Sequence, residues 1–374
     1  MAALSPIRLF HAIHTLEMEQ AAIDVLRSGQ IASGPKVAEF ERDFGSLIGR
    51  QNVVCTSDMT TAMMLALHLA GVKSGDEVVT LAFSCLASNS PIRLAGATVV
   101  WVDMDPATAS VDIDDFLSVL TPKTKAVMLY HVAGYPGPTQ AIADICRDRG
   151  IVLIEDCNNA LGAHQGGMPV GMLGDYAVYS FYPNRQINAL EGGALVCPNA
   201  AIADRARALR RFGIDARIFR DDLGEINPEA DVPEIGWSAS FSQMNAAVGL
   251  ANLAGVRARL ELTSANASLL ASVCHDIEGI QAVAPLPDAR PSYWGFLVLA
   301  KRRDEVLAAL KAEGIMASRM HYRNDGYSGF EAQRRPLPGT DVFMREVVAL
   351  PCGWWLNEAQ IEILVAILRR ICTK

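Results

Sequence analysis

The chain has 374 residues, 51% of them hydrophobic and 20% charged, a composition that supports a large buried core and excludes a disordered chain. Its 33 basic and 41 acidic residues leave a net charge of −8, which argues against a nucleic-acid or anionic-membrane surface. No stretch reaches the length of a membrane span, and the opening MAALSPIRLFHAIHTLEMEQ lacks an apolar leader core with a small-residue cleavage site, so a cytoplasmic protein is expected.

In chain order, a helix is predicted over residues 16–27. From about residue 50 to 200, short apolar runs alternate with longer helical patterns. NVVCTS (52–57) precedes a helix over 60–70, and EVVTL (77–81) precedes another over 86–95. ATVVWVD (97–103), AVMLYH (126–131) and IVLIED (151–156) keep the rhythm, with helices over 112–120 and 139–149. Near-continuous Val/Ile/Leu runs mark strands covered on both faces, and this alternation marks a mostly parallel sheet. YAVYSF (176–181) and GALVC (193–197) follow with only a loop between them, then a helix to residue 212. That last helix carries Arg205, Arg207, Arg210 and Arg211, which read as a solvated face rather than an anion site. A polar irregular section (213–236) leads to one long helical pattern that starts near residue 241 and runs into the 270s. FLVLA (296–300), RDEVLAALKAEG (303–314) and EAQIEILVAILRRI (358–371) suggest a separate α+β unit. The expected division is a large domain over 1–240, whose first forty residues pack on the small unit, and a connecting helix plus small domain over 241–374. The eight cysteines (55, 85, 146, 157, 197, 274, 352, 372) form no CxxC and read as reduced thiols, with no zinc spacing among them.

Open parallel sheets bind ligands beyond the carboxyl ends of their strands, so the residues after each apolar run carry the chemistry. IVLIED ends on Glu155 and Asp156, of which alternation turns one toward the helix layer and the other toward the crevice. Such an acid either caps the next helix or pairs with a protonated ring nitrogen of the kind that pyridoxal chemistry uses as an electron sink. Ser180, at the end of YAVYS, contacts a phosphate or a local backbone group. The turn TSDMTT (56–61) opens a helix, and its free N–H groups with Thr60 or Thr61 suit either a phosphate or an ordinary threonine cap. Phosphate-ready turn, acid and serine come in the order that one cofactor laid across the sheet requires.

This ordered set resembles the DegT/DnrJ/EryC1/StrS family of sugar aminotransferases. The likeness runs through SGPKVAEFERDF (33–44), GDEVV (75–79), LAGATVVWVDMDP (94–106), LTPKTKAV (120–127) and HVAGYPGP (131–138). It continues through IEDCNNALGA (154–163), GDYAVYSFYP (174–183), EGGALV (191–196), QMNAAVGLANL (243–253), HY (321–322) and LP (350–351). The resemblance implies an α/β, aspartate-aminotransferase-like (type I) fold, pyridoxal or pyridoxamine 5'-phosphate, a keto-deoxy sugar carried on a nucleotide, and a homodimer with its site at the interface. It implies that Asp156 pairs with the pyridine nitrogen and that Asn159 replaces a glutamine beside the ring. It assigns Ser180 and the turn Met59–Thr60–Thr61 to the phosphate, and His321 with Tyr322 to the substrate side.

The departures fall where the chemistry would be. Arg185 stands in SFYPNRQINALEGG where the family has the lysine that tethers the cofactor. Cys85 replaces a stacking aromatic residue and Met59 a small one. Ser238 replaces an asparagine that reaches the partner subunit's phosphate, and Ser240 a nearby arginine. A guanidinium stays charged and is neither nucleophile nor base, and Lys36, Lys73, Lys123, Lys125, Lys301 and Lys311 lie in unrelated segments. The expectation is a non-covalently held cofactor, with Arg185 pairing a phosphate or carboxylate and His321 or Tyr182 moving the proton. The alternatives are a conventional ketosugar aminotransferase with one altered residue, and a non-catalytic sugar-nucleotide-binding or partner subunit.

Overall fold

The computed structural model describes residues 6–372, so the first five residues of the opening segment lie outside the described part. A seven-stranded sheet organises the first two hundred residues. Its strands are β1 (Val53–Thr56), β2 (Glu77–Leu81), β3 (Thr98–Val102), β4 (Thr124–Tyr130), β5 (Val152–Asp156), β6 (Tyr176–Ser180) and β7 (Gly193–Val196). They lie in the order β1-β7-β6-β5-β4-β2-β3. Only β7 runs against its neighbours; the pairs β6/β5, β5/β4, β4/β2 and β2/β3 are parallel. The carboxyl ends of β1, β2, β4, β5 and β6 therefore share one edge. Register places Tyr130 beside Asp156, and both Ser180 and Thr56 beside Gly193, so the ends of four strands converge there.

Among the described residues, twelve α-helices cover these strands and those of a second sheet: α1 (Leu16–Ser28), α2 (Lys36–Ile48), α3 (Met59–Leu69), α4 (Leu86–Leu94), α5 (Ile113–Val119), α6 (Thr139–Arg149), α7 (Ala200–Leu209), α8 (Gln243–Leu253), α9 (Val256–Cys274), α10 (Arg303–Ala312), α11 (Pro338–Glu346) and α12 (Glu358–Cys372). Spacing explains their packing. Phe40, Phe44 and Ile48 repeat every fourth residue along α2, so all three reach the core against Phe181 and Phe241, and Gly49 at φ 69° ends the helix. In α12, Ile361, Leu364 and Leu368 form the buried stripe. Each such side chain removed from water contributes roughly 2 kcal/mol.

The second sheet, β8 (Ile280–Ala282), β9 (Phe296–Ala300) and β10 (Val347–Leu350), is antiparallel in the order β8-β9-β10. Residues from α9, α10 and α12 share its core. The N-terminal segment divides its contacts. Ile7 exchanges backbone hydrogen bonds with Gly314 and Met316 beside this sheet, whereas α1 packs on α8 through Met18 and Val248.

The long helical pattern expected from residue 241 into the 270s is two helices, broken at Ala254–Gly255. The Arg259 guanidinium donates to the Asn252 carbonyl at 2.8 Å, an acceptor that a continuous helix would give to its own next turn. Glycine in a helix interior costs about 1 kcal/mol relative to alanine, so the break falls where resistance is least. The helix expected to reach residue 212 ends at Leu209, and the arginines in and just after it depart from a uniformly solvated face. Arg205 and Arg207 pair with Glu234 and Asp204 at the surface, but Arg210 turns inward to Glu41 (2.5 Å) and the Cys55 carbonyl (2.6 Å). All eight cysteines are free thiols, and no helix among the described residues is long and apolar enough to cross a membrane.

Candidate functional site

The edge formed by β1, β6, β5 and β4 carries the candidate residues. At the end of β5, the two acids separate. Glu155 points into the protein, where Oε2 accepts from the Gly171 amide (2.7 Å) and Oε1 from the amides of Leu173 (3.0 Å) and Gly174 (2.6 Å). His131 Nε2 reaches Oε2 at 3.2 Å, while its Nδ1 accepts from the Gly137 amide. Glu155, His131 and Cys157 lie close enough to hold a metal, yet the carboxylate and both imidazole nitrogens are already used, so the cluster reads as structural.

Asp156 is fully buried. Its Oδ2 accepts from Ser88 Oγ at 2.6 Å, and its Oδ1 from the Asn158 backbone amide (3.1 Å) and Nδ2 (2.8 Å). Burial raises its carboxyl above the usual range, and the Ser88 and Asn158 hydrogen bonds offset this only in part. A buried anion with no cation at ion-pair distance among the described residues is costly, and a cationic ligand group would relieve it.

Tyr130, at the end of β4, was not singled out in the sequence. Its hydroxyl accepts from Asn159 Nδ2 (2.8 Å) and lies 3.3 Å from His321 Nε2. Burial and then the charge of Asp156 push its phenol well above the ordinary value, so it stays protonated. Asn159 leaves its Oδ1 buried without a donor. His321, edge-on to Phe83, is held down to about 4 by burial and then by the Arg185 charge, so its imidazole is neutral at pH 7.

Arg185 follows β6 in a loop tied to the rest of the site. Trp294 Nε1 donates to the Asn184 carbonyl (2.8 Å), and Gln186 Nε2 donates to that of Asn159 (2.8 Å). The guanidinium lies 4.6 Å from the centre of the Trp294 ring, which Phe10 stacks at 4.0 Å. Its Nη1 donates to Asn184 Oδ1 (2.6 Å), and its Nε is buried without a partner among the described residues. Burial lowers its pKa, but a guanidinium remains charged at neutral pH. No carboxylate lies at ion-pair distance from it among the described residues, although the charges of Asp156 and Glu191 are felt there.

The turn after β1 differs from a threonine cap. Asp58, at φ −159° and ψ 168°, is the N-cap of α3. Its Oδ1 accepts from the Thr61 amide, and its Oδ2 from Thr61 Oγ1 and Ser57 Oγ, all at 2.8 Å. Gly193 lets the turn lie on β7, since a Cβ there would stand 2.6 Å from Met59 Cα. Met59 is buried and Thr60 half-buried. Ser180 Oγ makes only a long contact, 3.4 Å from the Tyr182 amide.

Cys85 is half-buried at the N-cap of α4. Tyr182 is 48% exposed, and Ser238 is exposed beside Arg211. One edge thus brings together Asp156, Asn159, Ser180, Arg185, His321 and the 58–61 turn, and the segment that carries Ser238 lies against that turn through the Ser57 amide, which donates to the Ala239 carbonyl (2.9 Å). Ala133 (φ 52°), Leu190 (φ 66°), Tyr293 (φ 51°) and Met320 (φ 66°) hold left-handed backbones in the segments carrying Tyr130, Arg185, Trp294 and His321. Such conformations cost about 1–3 kcal/mol each and gather where a site over-determines its loops.

Residues 13–369 match the model of the DegT/DnrJ/EryC1/StrS aminotransferase family. The chain belongs to this family. Among solved structures, AtS13 from Actinomadura melliaura is 33% identical with a TM-score of 0.92, over 98% of this chain and 99% of that one. The sugar aminotransferase CalS13 from Micromonospora echinospora is 31% identical with a TM-score of 0.91, over 97% and 99%. DesI, solved in the presence of its TDP-sugar product, is 28% identical with a TM-score of 0.88, over 100% and 95%. The α/β fold with its mostly parallel sheet is therefore that of type I pyridoxal-phosphate enzymes, and the family implies a cofactor of the pyridoxal or pyridoxamine type.

Two further site residues, Ser88 and Trp294, escaped sequence reasoning. Ser88 lies 68 residues from Asp156 and Trp294 110 residues from Asn184, so no local pattern announces either contact. Asp58 carried a readable signal, a short acid directly before a helical run.

Proposed function

We propose that this family member binds its ligands reversibly between Asp156 and Arg185, with no covalent bond from residue 185 to a cofactor. The observation that carries this reading is the Arg185 guanidinium itself, half-buried against Trp294, lacking an ion-pair partner among the described residues and with its Nε unsatisfied. A cation in that state suits an anionic ligand group, a phosphate or carboxylate, which its planar fork grips well. It stands where the family resemblance places the tethering lysine, and it supplies neither nucleophile nor base.

The ring end of the crevice fits a pyridine-type cofactor. Asp156, held by Ser88 and Asn158, offers a desolvated carboxylate to a protonated ring nitrogen, and the donor-less Asn159 Oδ1 suits a ligand hydroxyl. When bound, such a group supplies the electron-withdrawing ring, and in its amine form the nitrogen for transfer. The other end fits poorly: the turn assigned to the phosphate (Met59, Thr60 and Thr61, beside Ser180) already holds the Asp58 carboxylate. Cys85 offers no ring to stack on the cofactor.

For proton movement we assign His321, whose neutral Nε2 lies beside the Tyr130 hydroxyl, ahead of the exposed Tyr182. CalS13 is named a sugar aminotransferase and DesI was solved with a TDP-sugar, which supports a nucleotide-linked keto-deoxy sugar as the substrate here. A homodimer is also proposed. Leu223 (87% exposed), Ile235 (79%) and Ile226 (60%) are exposed apolar side chains in the segment before Ser238, suited to burial against a second copy. Sedimentation equilibrium should give twice the chain mass, and a monomer at micromolar concentration would refute that part. The self-capped turn favours a second reading, a non-catalytic sugar-nucleotide-binding or partner subunit.

The test of the main reading is covalency. After incubation with pyridoxal 5'-phosphate and borohydride, the intact mass should be unchanged, while a lysine-bearing family member treated in parallel gains the cofactor. A reduced adduct at a crevice position in this chain would refute the proposal and support a conventional aminotransferase.

A further inference from the structure

We propose that the Asp58 carboxylate stands in for the cofactor's phosphate, so that the crevice selects a pyridoxal-type ring lacking the 5'-phosphate. The inference rests on the reading that such a ring binds against Asp156. A helix start attracts anions because its first amides have no partner and its dipole is positive there. In this chain the anion is already built in. The Asp58 carboxylate consumes the Thr61 amide, the Thr61 hydroxyl and the Ser57 hydroxyl, which are donors that a phosphate would otherwise draw upon.

Charge deepens the exclusion. A phosphate monoester carries roughly −1.5 to −2 at pH 7. Set beside this turn, it would meet Asp58 directly and then Glu191, whose carboxyl is itself raised by burial and by the charge of Asp58. Among the described residues no Lys, Arg or His pairs with Asp58 at ion-pair distance, and the Arg185 charge that reaches Glu191 is outweighed there by burial and the charge of Asp58. The turn lies against Gly193, with Met59 Cα and the Asp58 carbonyl 2.6 and 2.7 Å from where a Cβ would stand, and the Met59 side chain is buried in the core beneath it. The ring end shows the opposite features, a buried anion at Asp156 and an unsatisfied acceptor at Asn159. The site thus keeps the determinants of the ring and replaces those of the phosphate.

The experiment compares pyridoxamine with pyridoxamine 5'-phosphate by calorimetric titration of the full-length protein, Asp58→Ser and Asp58→Asn. Wild type is expected to bind pyridoxamine at least tenfold more tightly than its phosphate. Asp58→Ser should improve the affinity for the phosphate form relative to pyridoxamine by tenfold or more. Asp58→Asn keeps an N-cap residue while removing the charge, so it should move the ratio the same way even if the serine variant folds poorly. A wild type that prefers the phosphate form, or Asp58 variants that leave the ratio unchanged, would overturn this inference while leaving the ring reading intact. If neither compound binds any of the three proteins, the ring reading itself falls and this inference with it.

Discussion

Glu155→Ala is expected to lower the unfolding free energy by about 4 kcal/mol, a large share of the roughly 5–15 kcal/mol by which a folded chain is usually stable. The Glu155 carboxylate is fully buried and accepts three backbone amides from the 171–174 turn, besides facing His131. Truncation strands all of them without solvent, and each unsatisfied buried group costs about 1–3 kcal/mol. That turn connects β5 to β6, so its loss releases the strands carrying Asp156 and Ser180. Burial pushes the Glu155 carboxyl up, but the His131 contact and the amides of Gly171 and Gly174 outweigh it and hold the carboxyl below its ordinary value. Its stabilisation is therefore complete above pH 4.5 and is lost as the pH falls through the folded value. Urea unfolding of the variant should show a lower midpoint with an unchanged slope, and a loss under about 1 kcal/mol would contradict the assignment.

Acidification from pH 6.5 to 4 should cost the folded chain up to ~3 kcal/mol through His321 alone. Burial, then the Arg185 charge, hold its folded pKa near 4 against 6.5 for the free side chain. In that window the unfolded chain takes up a proton that the folded chain refuses, so stability rises with pH from 4 to 6.5 and levels off above. The loss is largest when both forms are compared at the lower limit. Replacing the imidazole with the neutral amide of His321→Gln should flatten the difference between pH 6.5 and 4 without touching the Glu155 contribution at lower pH. Denaturant titrations of both proteins at half-unit steps measure this, and parallel curves throughout the window would show that His321 titrates normally. The same neutrality is what the proposed proton-handling role needs, because a protonated imidazole beside Arg185 could not accept a proton.

Much of the fold was legible because its strands are short apolar runs and its helices carry regular stripes. EVVTL and FLVLA were placed to the residue, as was the helix Thr139–Arg149. The helix pair α8 and α9 was read as one because the stripe continues across Ala254–Gly255, while the break depends on Arg259 reaching back to Asn252. The site was legible in part. Asp156 and Ser180 stand at strand ends, where position alone marks them, whereas Arg185 is marked only by the family resemblance. Which of Glu155 and Asp156 faced the crevice stayed open, because alternation offers two faces without saying what covers each.

Residue type and order along the chain decide which groups are available: a guanidinium at 185 instead of an amine, an acid at 58 ahead of α3, and a carboxylate at 156. The alternation of strands and helices also follows from local patterning, since burial of an apolar face needs only near neighbours in sequence. What those groups face was decided by the order β1-β7-β6-β5-β4-β2-β3. That order, with the packing of the 290–321 segments on it, brings Ser88 to Asp156, Trp294 to Arg185 and Tyr130 to His321, across separations of 68 to 191 residues. Burial then sets their charge states, because desolvation is a property of the packed interior that no local segment of the chain possesses.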